Sequence, residues 1–100
     1  MNILKIHKAL ANESRFRILQ WLKNPAENFP PHKEHGHFND GVCGVFIQEK
    51  SGLSQSTVSH FLSVLHQAEL VIPTRIGKWT YYKRNEETIK AYLQLIKTEL

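Results

Sequence analysis

The sequence predicts a mainly helical domain carrying one β-hairpin, and three observations predict it. Residues 2–10, 12–23, 54–68 and 86–100 place apolar side chains at helical spacing. Two β-rich runs, LVIPTR at 70–75 and KWTYYK at 78–83, sit around Ile76-Gly77 and read as a hairpin. The length, 100 residues, is that of one small domain spanning 1–100.

Composition narrows the class. Apolar residues make up 41% and charged residues 22%, so an ordinary packed domain is expected. No run of 18 apolar residues exists to span a membrane. The opening MNILKIHKAL lacks an apolar stretch with a small-residue cleavage motif, so a cytoplasmic location is expected. Cys43 is the one cysteine, which excludes an internal disulfide and a Cys-only zinc site within one chain. So short a chain buries a modest core, and dimerisation is a reasonable expectation. Thirteen Lys+Arg against nine Asp+Glu give +4. That charge is concentrated in residues 54–84, where Arg75, Lys78, Lys83 and Arg84 face Glu69 alone. Such a balance suits nucleic acid, and also suits a solvated basic surface.

Each element has a local reason. Ile3, Ile6, His7 and Leu10 form one stripe, so 2–10 is a short amphipathic helix. Asn12 caps the next helix, Glu13 sits in its first turn, and Asn24-Pro25 ends it. Phe16, Ile18, Leu19, Trp21 and Leu22 cover much of its circumference, which predicts a largely buried helix. Residues 24–41 are a long Pro- and His-rich loop. Val42, Val45, Phe46 and Ile47 mark a short helix over 42–51, with Gly52 just past its end.

Ser54 then caps the clearest helix, SQSTVSHFLSVLHQA. Val58, Phe61, Leu62, Leu65 and Ala68 share one stripe; Ser56, Ser59, His60, Ser63 and Gln67 share the opposite face. That polar face carries no Lys, Arg, Asp or Glu. Small hydroxyls and amides suit close approach to another surface. Pro73 assigns its strand to a sheet edge. In 86–100, Ile89, Leu93, Ile96 and Leu100 form a stripe with Tyr92 beside it, and Glu86 and Glu87 favour its N-terminus.

A short helix, a Gly-containing turn and a polar-faced helix over 42–68 make a helix-turn-helix, and a basic hairpin over 70–84 adds a wing. The expected fold is therefore a winged helix-turn-helix. Its expected dimer interface uses the terminal helices, through Ile3, Ile6, Leu10, Ile89, Tyr92, Leu93 and Ile96. The expected partner is double-stranded DNA, since the major groove admits one helix whose polar side chains read base edges. Ser54, Gln55, Ser56, Thr57, Ser59 and His60 are the candidate groove contacts. Arg75, Lys78 and Lys83 are the candidate contacts to flanking phosphate or the minor groove. A winged module that binds protein instead would show an apolar or acidic face on this helix. No Gly-rich phosphate loop, His-Glu-x-x-His or apolar carboxylate pair suggests an enzyme.

The segments LxKALANESRFRIL, LSQSTVSHFLSVLHQAELV and RIGKWTYYK resemble the ArsR/SmtB family of winged-helix transcriptional repressors. The resemblance covers nearly all the chain outside 24–41. It implies a homodimer on a palindromic operator, released by an inducer that is often a metal ion. It maps the recognition residues onto Gln55, Ser56, Thr57, Ser59 and His60. The family's Cys-x-Cys metal site is not reproduced, because Val45 stands two residues after Cys43. Its C-terminal-helix zinc site is not reproduced either, because 85–100 contains no histidine. No cofactor is therefore expected, and the inducer is unassigned. Any metal would have to use His32, His35 and His37, with Glu34 or Asp40, a set that favours zinc or nickel; a solvated loop is the plainer reading. Cys43 reads as a small buried apolar residue, with a redox-reactive thiol as its alternative. His7 reads as an interface histidine, and Trp21 and Trp79 as core.

Overall fold

The computed structural model describes residues 1–31 and 37–100. The elements run α1 (Ile3–Leu10), α2 (Glu13–Lys23), α3 (Pro25–Asn28), β1 (Val42–Cys43), α4 (Gly44–Ser51), α5 (Gln55–Gln67), β2 (Val71–Ile76), β3 (Trp79–Arg84) and α6 (Glu86–Glu99). Side-chain caps start four of the helices. Asn2 Oδ1 accepts from Lys5 N at 3.0 Å, Asn12 Oδ1 from Arg15 N at 2.9 Å, Ser54 Oγ from Thr57 N at 3.2 Å and Asn85 Oδ1 from Thr88 N at 3.3 Å. Each such cap stabilises its helix by roughly 1 kcal/mol. Gly52 ends α4 in the left-handed region, as its place after the last helical residue predicts.

The sheet order is β1-β3-β2, all antiparallel, so the Pro73 strand is an edge strand. Ile76 pairs with Trp79, leaving Gly77-Lys78 as a two-residue turn with Gly77 at φ 61°. Glycine at the first central position matches the twist of the strands it joins. The turn is one residue later than the sequence suggests, and Lys78 stands at the wing tip rather than in a strand. β1 was not expected. It pairs Val42 with Tyr82 and Cys43 with Tyr81, and two residues are too few to show alternation. Gly41 leads into it at φ 103°, and a Cβ there would collide with the Tyr82 carbonyl.

The core joins α1, α2, α4, α5 and the sheet through Ile6, Ile18, Ile47, Val58, Leu65, Leu70 and Val71. Ile6 is thus a correction: expected at a dimer interface, it is fully buried inside its own chain. α2 is a second correction. It buries Ile18, Leu19 and Leu22, but Phe16 is 48% exposed, because its apolar residues surround the helix while only one side meets the core. A third concerns 24–41. Within it α3 turns once, Asn28 Nδ2 donates to the carbonyls of Trp21 (3.2 Å) and Asn24 (2.9 Å), and buried Phe29 meets the Trp21 ring edge-on at 6.2 Å.

The end of α5 fixes where the wing departs. Leu70 N donates to Leu65 O and Glu69 N to His66 O, both at 2.9 Å, with Glu69 at φ 61°. This is a Schellman closure with glutamate in the position that usually favours glycine. Asn85 N donates to Leu70 O at 2.9 Å and closes the base of the hairpin.

Candidate nucleic-acid interface

The outer face of α5 is polar and open. Gln55, Ser56, Ser59, His60, Ser63 and Gln67 are exposed, while Val58, Leu62 and Leu65 anchor the helix in the core. Two expected contacts have structural work in the free protein. Ser54 Oγ caps α5 and donates to Thr57 Oγ1 at 2.8 Å, and Thr57 is half-buried. The side chains presented outward near the N-terminus are therefore Gln55, Ser56, Ser59 and His60. A hydroxyl-and-amide face can donate to and accept from base edges without carrying a charge into the groove.

The wing lies beside that face. A cleft of about 340 Å³ runs between α5, the start of α4 and the hairpin, and its polar lining includes Gln55, Ser59, Arg75, Lys78 and Thr80. Arg75 is held in place there. Its Nε donates to Gly77 O at 2.9 Å and its guanidinium reaches Thr80 Oγ1 at 3.3 Å. The Lys78 ammonium lies 5.1 Å from the Trp79 ring centroid. Lys83 is different. Strand side chains alternate, so Lys83 is on the opposite face from Thr80 and Tyr82, and it does not line this cleft. Arg84 is taken by Glu86 at 2.7 Å, a pair that ties β3 to α6. Gln48 and Thr80 also line the cleft; sequence reasoning passed over both, although the Arg75–Thr80 pairing follows once the hairpin register is known.

Cys43 is buried at the floor of the same cleft, beside Tyr82. Burial, and secondarily Cys43, raise the Tyr82 phenol above its ordinary value of 10.0. Val45 is exposed and brings no ligand atom. Among the described residues no group of three or more His, Cys, Asp or Glu could hold a metal ion. Of the metal candidates, His32 and His35 lie outside the described residues; His37 is exposed, and its Nδ1 accepts from Asn39 N at 3.3 Å.

The terminal helices carry a second, apolar surface. Ile3, Leu10, Ile89, Tyr92 and Ile96 are half-buried, and Leu93 is 60% exposed. Leu4, 66% exposed, joins this list from α1; it was missed because it lies off the Ile3-Ile6-Leu10 stripe. α6 buries no residue fully.

No family model matches the chain. The helix-turn-helix transcriptional regulator YbzH of Bacillus subtilis is 46% identical over 100 residues, the full length of both proteins. A putative arsenical resistance operon repressor of Halobacterium salinarum, ArsR2, is 33% identical over 85 residues, covering 85% of this chain and 60% of that one. The chain belongs to the helix-turn-helix transcriptional regulators, and an ArsR-type repressor is among its relatives. Solved structures agree on the fold. The homodimeric winged helix-turn-helix domain of Mb0332 from Mycobacterium bovis superposes with a TM-score of 0.67 at 24% identity, covering 97% of this chain and 79% of that one. HlyU from Vibrio vulnificus gives 0.61 at 26% identity, covering 97% and 86%. The chain is accordingly a transcriptional regulator and not an enzyme, and its relatives favour the DNA-binding reading over a protein-interaction module. No helix among its described residues is long and apolar enough to cross a membrane.

Proposed function

We propose that the chain is a homodimeric repressor, acting in the cytoplasm, that holds a palindromic operator with two copies of α5 and is released by an inducer. The observation that carries this is the uncharged, exposed Gln55-Ser56-Ser59-His60 face next to the fixed Arg75 and the Lys78 tip. The face supplies base-edge hydrogen bonds, and the two cations supply phosphate attraction. The apolar surface of α1 and α6, with Leu4 and Leu93 outermost, supports pairing of two copies. A two-fold dimer requires two like half-sites, which is why the operator is palindromic.

Release by a soft metal through Cys43 has no support in these residues, since one buried thiol faces no second thiolate. Zinc or nickel held by His32, His35 and His37 stays a proposal to be tested, with no resident cofactor as the simpler reading. The test is selection of bound duplexes from a random pool, repeated with zinc, nickel and an oxidant. Enrichment of an inverted repeat, lost on addition of one of these agents, is the expected result.

A further inference from the structure

A second cleft, about 290 Å³, opens between the first turns of α2 and the end of α4. Glu13, Ser14, Arg17, Trp21, Lys50 and Ser51 line it. It shares no residue with the wing cleft, yet both clefts use α4: Gly44, Val45 and Gln48 line the first, Lys50 and Ser51 the second. Ser51 also adjoins the recognition helix. Its Oγ accepts from Leu53 N at 3.1 Å, one residue before the Ser54 cap.

Lys50 is held in place in this cleft. The Lys50 ammonium sits 5.2 Å from the Trp21 ring centroid and 5.9 Å from that of Phe29. Those rings hold the side chain by the attraction of their faces for a cation, and leave its N–H donors available to an anion. Arg17 bonds Glu13 at 3.1 Å, but both side chains are exposed, so the pair is weak and exchangeable. The first turn of α2 adds the positive end of its dipole at Ser14.

We propose that Arg17, Lys50, Ser14 and Ser51 form a second phosphate-binding site for DNA. A helix lying in the major groove has a phosphate strand on either side. Arg75 and Lys78 serve the strand beside the wing, and Arg17 and Lys50 serve the other. An arriving phosphate displaces Glu13 from Arg17. This proposal rests on the DNA-binding reading above and adds a contact that neither the recognition helix nor the wing supplies.

The test measures affinity for a random-sequence duplex between about 50 and 200 mM salt. Lys50→Gln and Arg17→Gln each remove two contacts per dimer. Each should shrink the loss of affinity across that range roughly tenfold, from a slope change of about 0.9 per contact. Lys50→Arg should keep the wild-type slope, and Glu13→Gln should tighten binding roughly threefold by removing a competing carboxylate. Lys90→Gln, the same charge change on α6, should keep the wild-type slope. Thermal melts establish that each variant is folded, and Arg17→Gln, at an exposed position, stands in if Lys50→Gln unfolds. Wild-type slopes in both cation variants, or an equal fall in Lys90→Gln, would overturn the proposal while leaving the DNA reading intact. A wild-type chain without salt-dependent binding would overturn the DNA reading and this proposal together.

Discussion

His7 Nδ1 and Tyr92 Oη lie 2.8 Å apart, with their rings edge to face at 5.5 Å. This contact bridges α1 and α6, the first and last helices of the chain. It explains how α6 can pack while burying no residue fully. A 14-residue helix gains little from propensity alone and draws its stability from the surface it packs on. Leu93 is 60% exposed, and in the proposed dimer a second copy would cover it.

Substitutions on the two sides of α1 and α6 separate core from interface. Leu93→Asp should give a folded monomer with weak DNA binding, because it places a charge on an exposed apolar surface. Ile6→Asp should instead unfold the chain, costing more than about 3 kcal/mol, because it buries an unpaired carboxylate. Sedimentation and urea titration distinguish the two. A folded Ile6→Asp dimer would contradict the placement of Ile6.

Base reading and phosphate attraction should also separate. Gln55→Ala, Ser56→Ala and Ser59→Ala should each relax sequence preference, costing roughly 1–3 kcal/mol where a base contact is lost. Lys78→Ala should weaken all duplexes alike and lower the salt slope by about one per protomer. Lys83→Ala should do less than Lys78→Ala, since Lys83 does not line the cleft. Competition binding against scrambled duplexes reads both effects.

Tyr82 carries a pH dependence of stability. Its folded value is raised above 10.0, so the native chain keeps a proton that the unfolded chain releases. The stabilisation is fully present below pH 10.0 and is lost as pH rises through the raised value. Urea midpoints of wild type should therefore fall more steeply between pH 10.0 and that raised value than those of Tyr82→Phe. Parallel curves would assign the alkaline loss to other groups.

Glu69 holds a left-handed backbone at the end of α5. Glu69→Gly removes the Cβ clash at some cost in chain entropy, and should raise stability by roughly 0.5 kcal/mol. Thermal unfolding measures it. A destabilised variant would mean that the Glu69 side chain matters more than its backbone.

The legible parts of the fold were those written in short-range chemistry. Asn12 and Ser54 announce helix starts, Gly52 a helix end, Pro73 an edge strand, and the α5 stripe its buried side. What escaped depends on tertiary pairing. β1 exists because Tyr81 and Tyr82 pair with it, not because of a pattern in Val42-Cys43. Periodicity showed that α1 has an apolar face, but not that Ile6 turns inward while Leu4 turns out. The α5 face was legible; the Lys50 cleft was not, because its rings come from Trp21 and Phe29, more than 20 residues away in the chain.

Selection from a random duplex pool tests the central claim most directly. The account predicts an inverted repeat with half-sites about one helical turn apart, or a multiple of it, and a relaxed consensus with Ser59→Ala. A wild-type pool that emerges without any enriched sequence would contradict it.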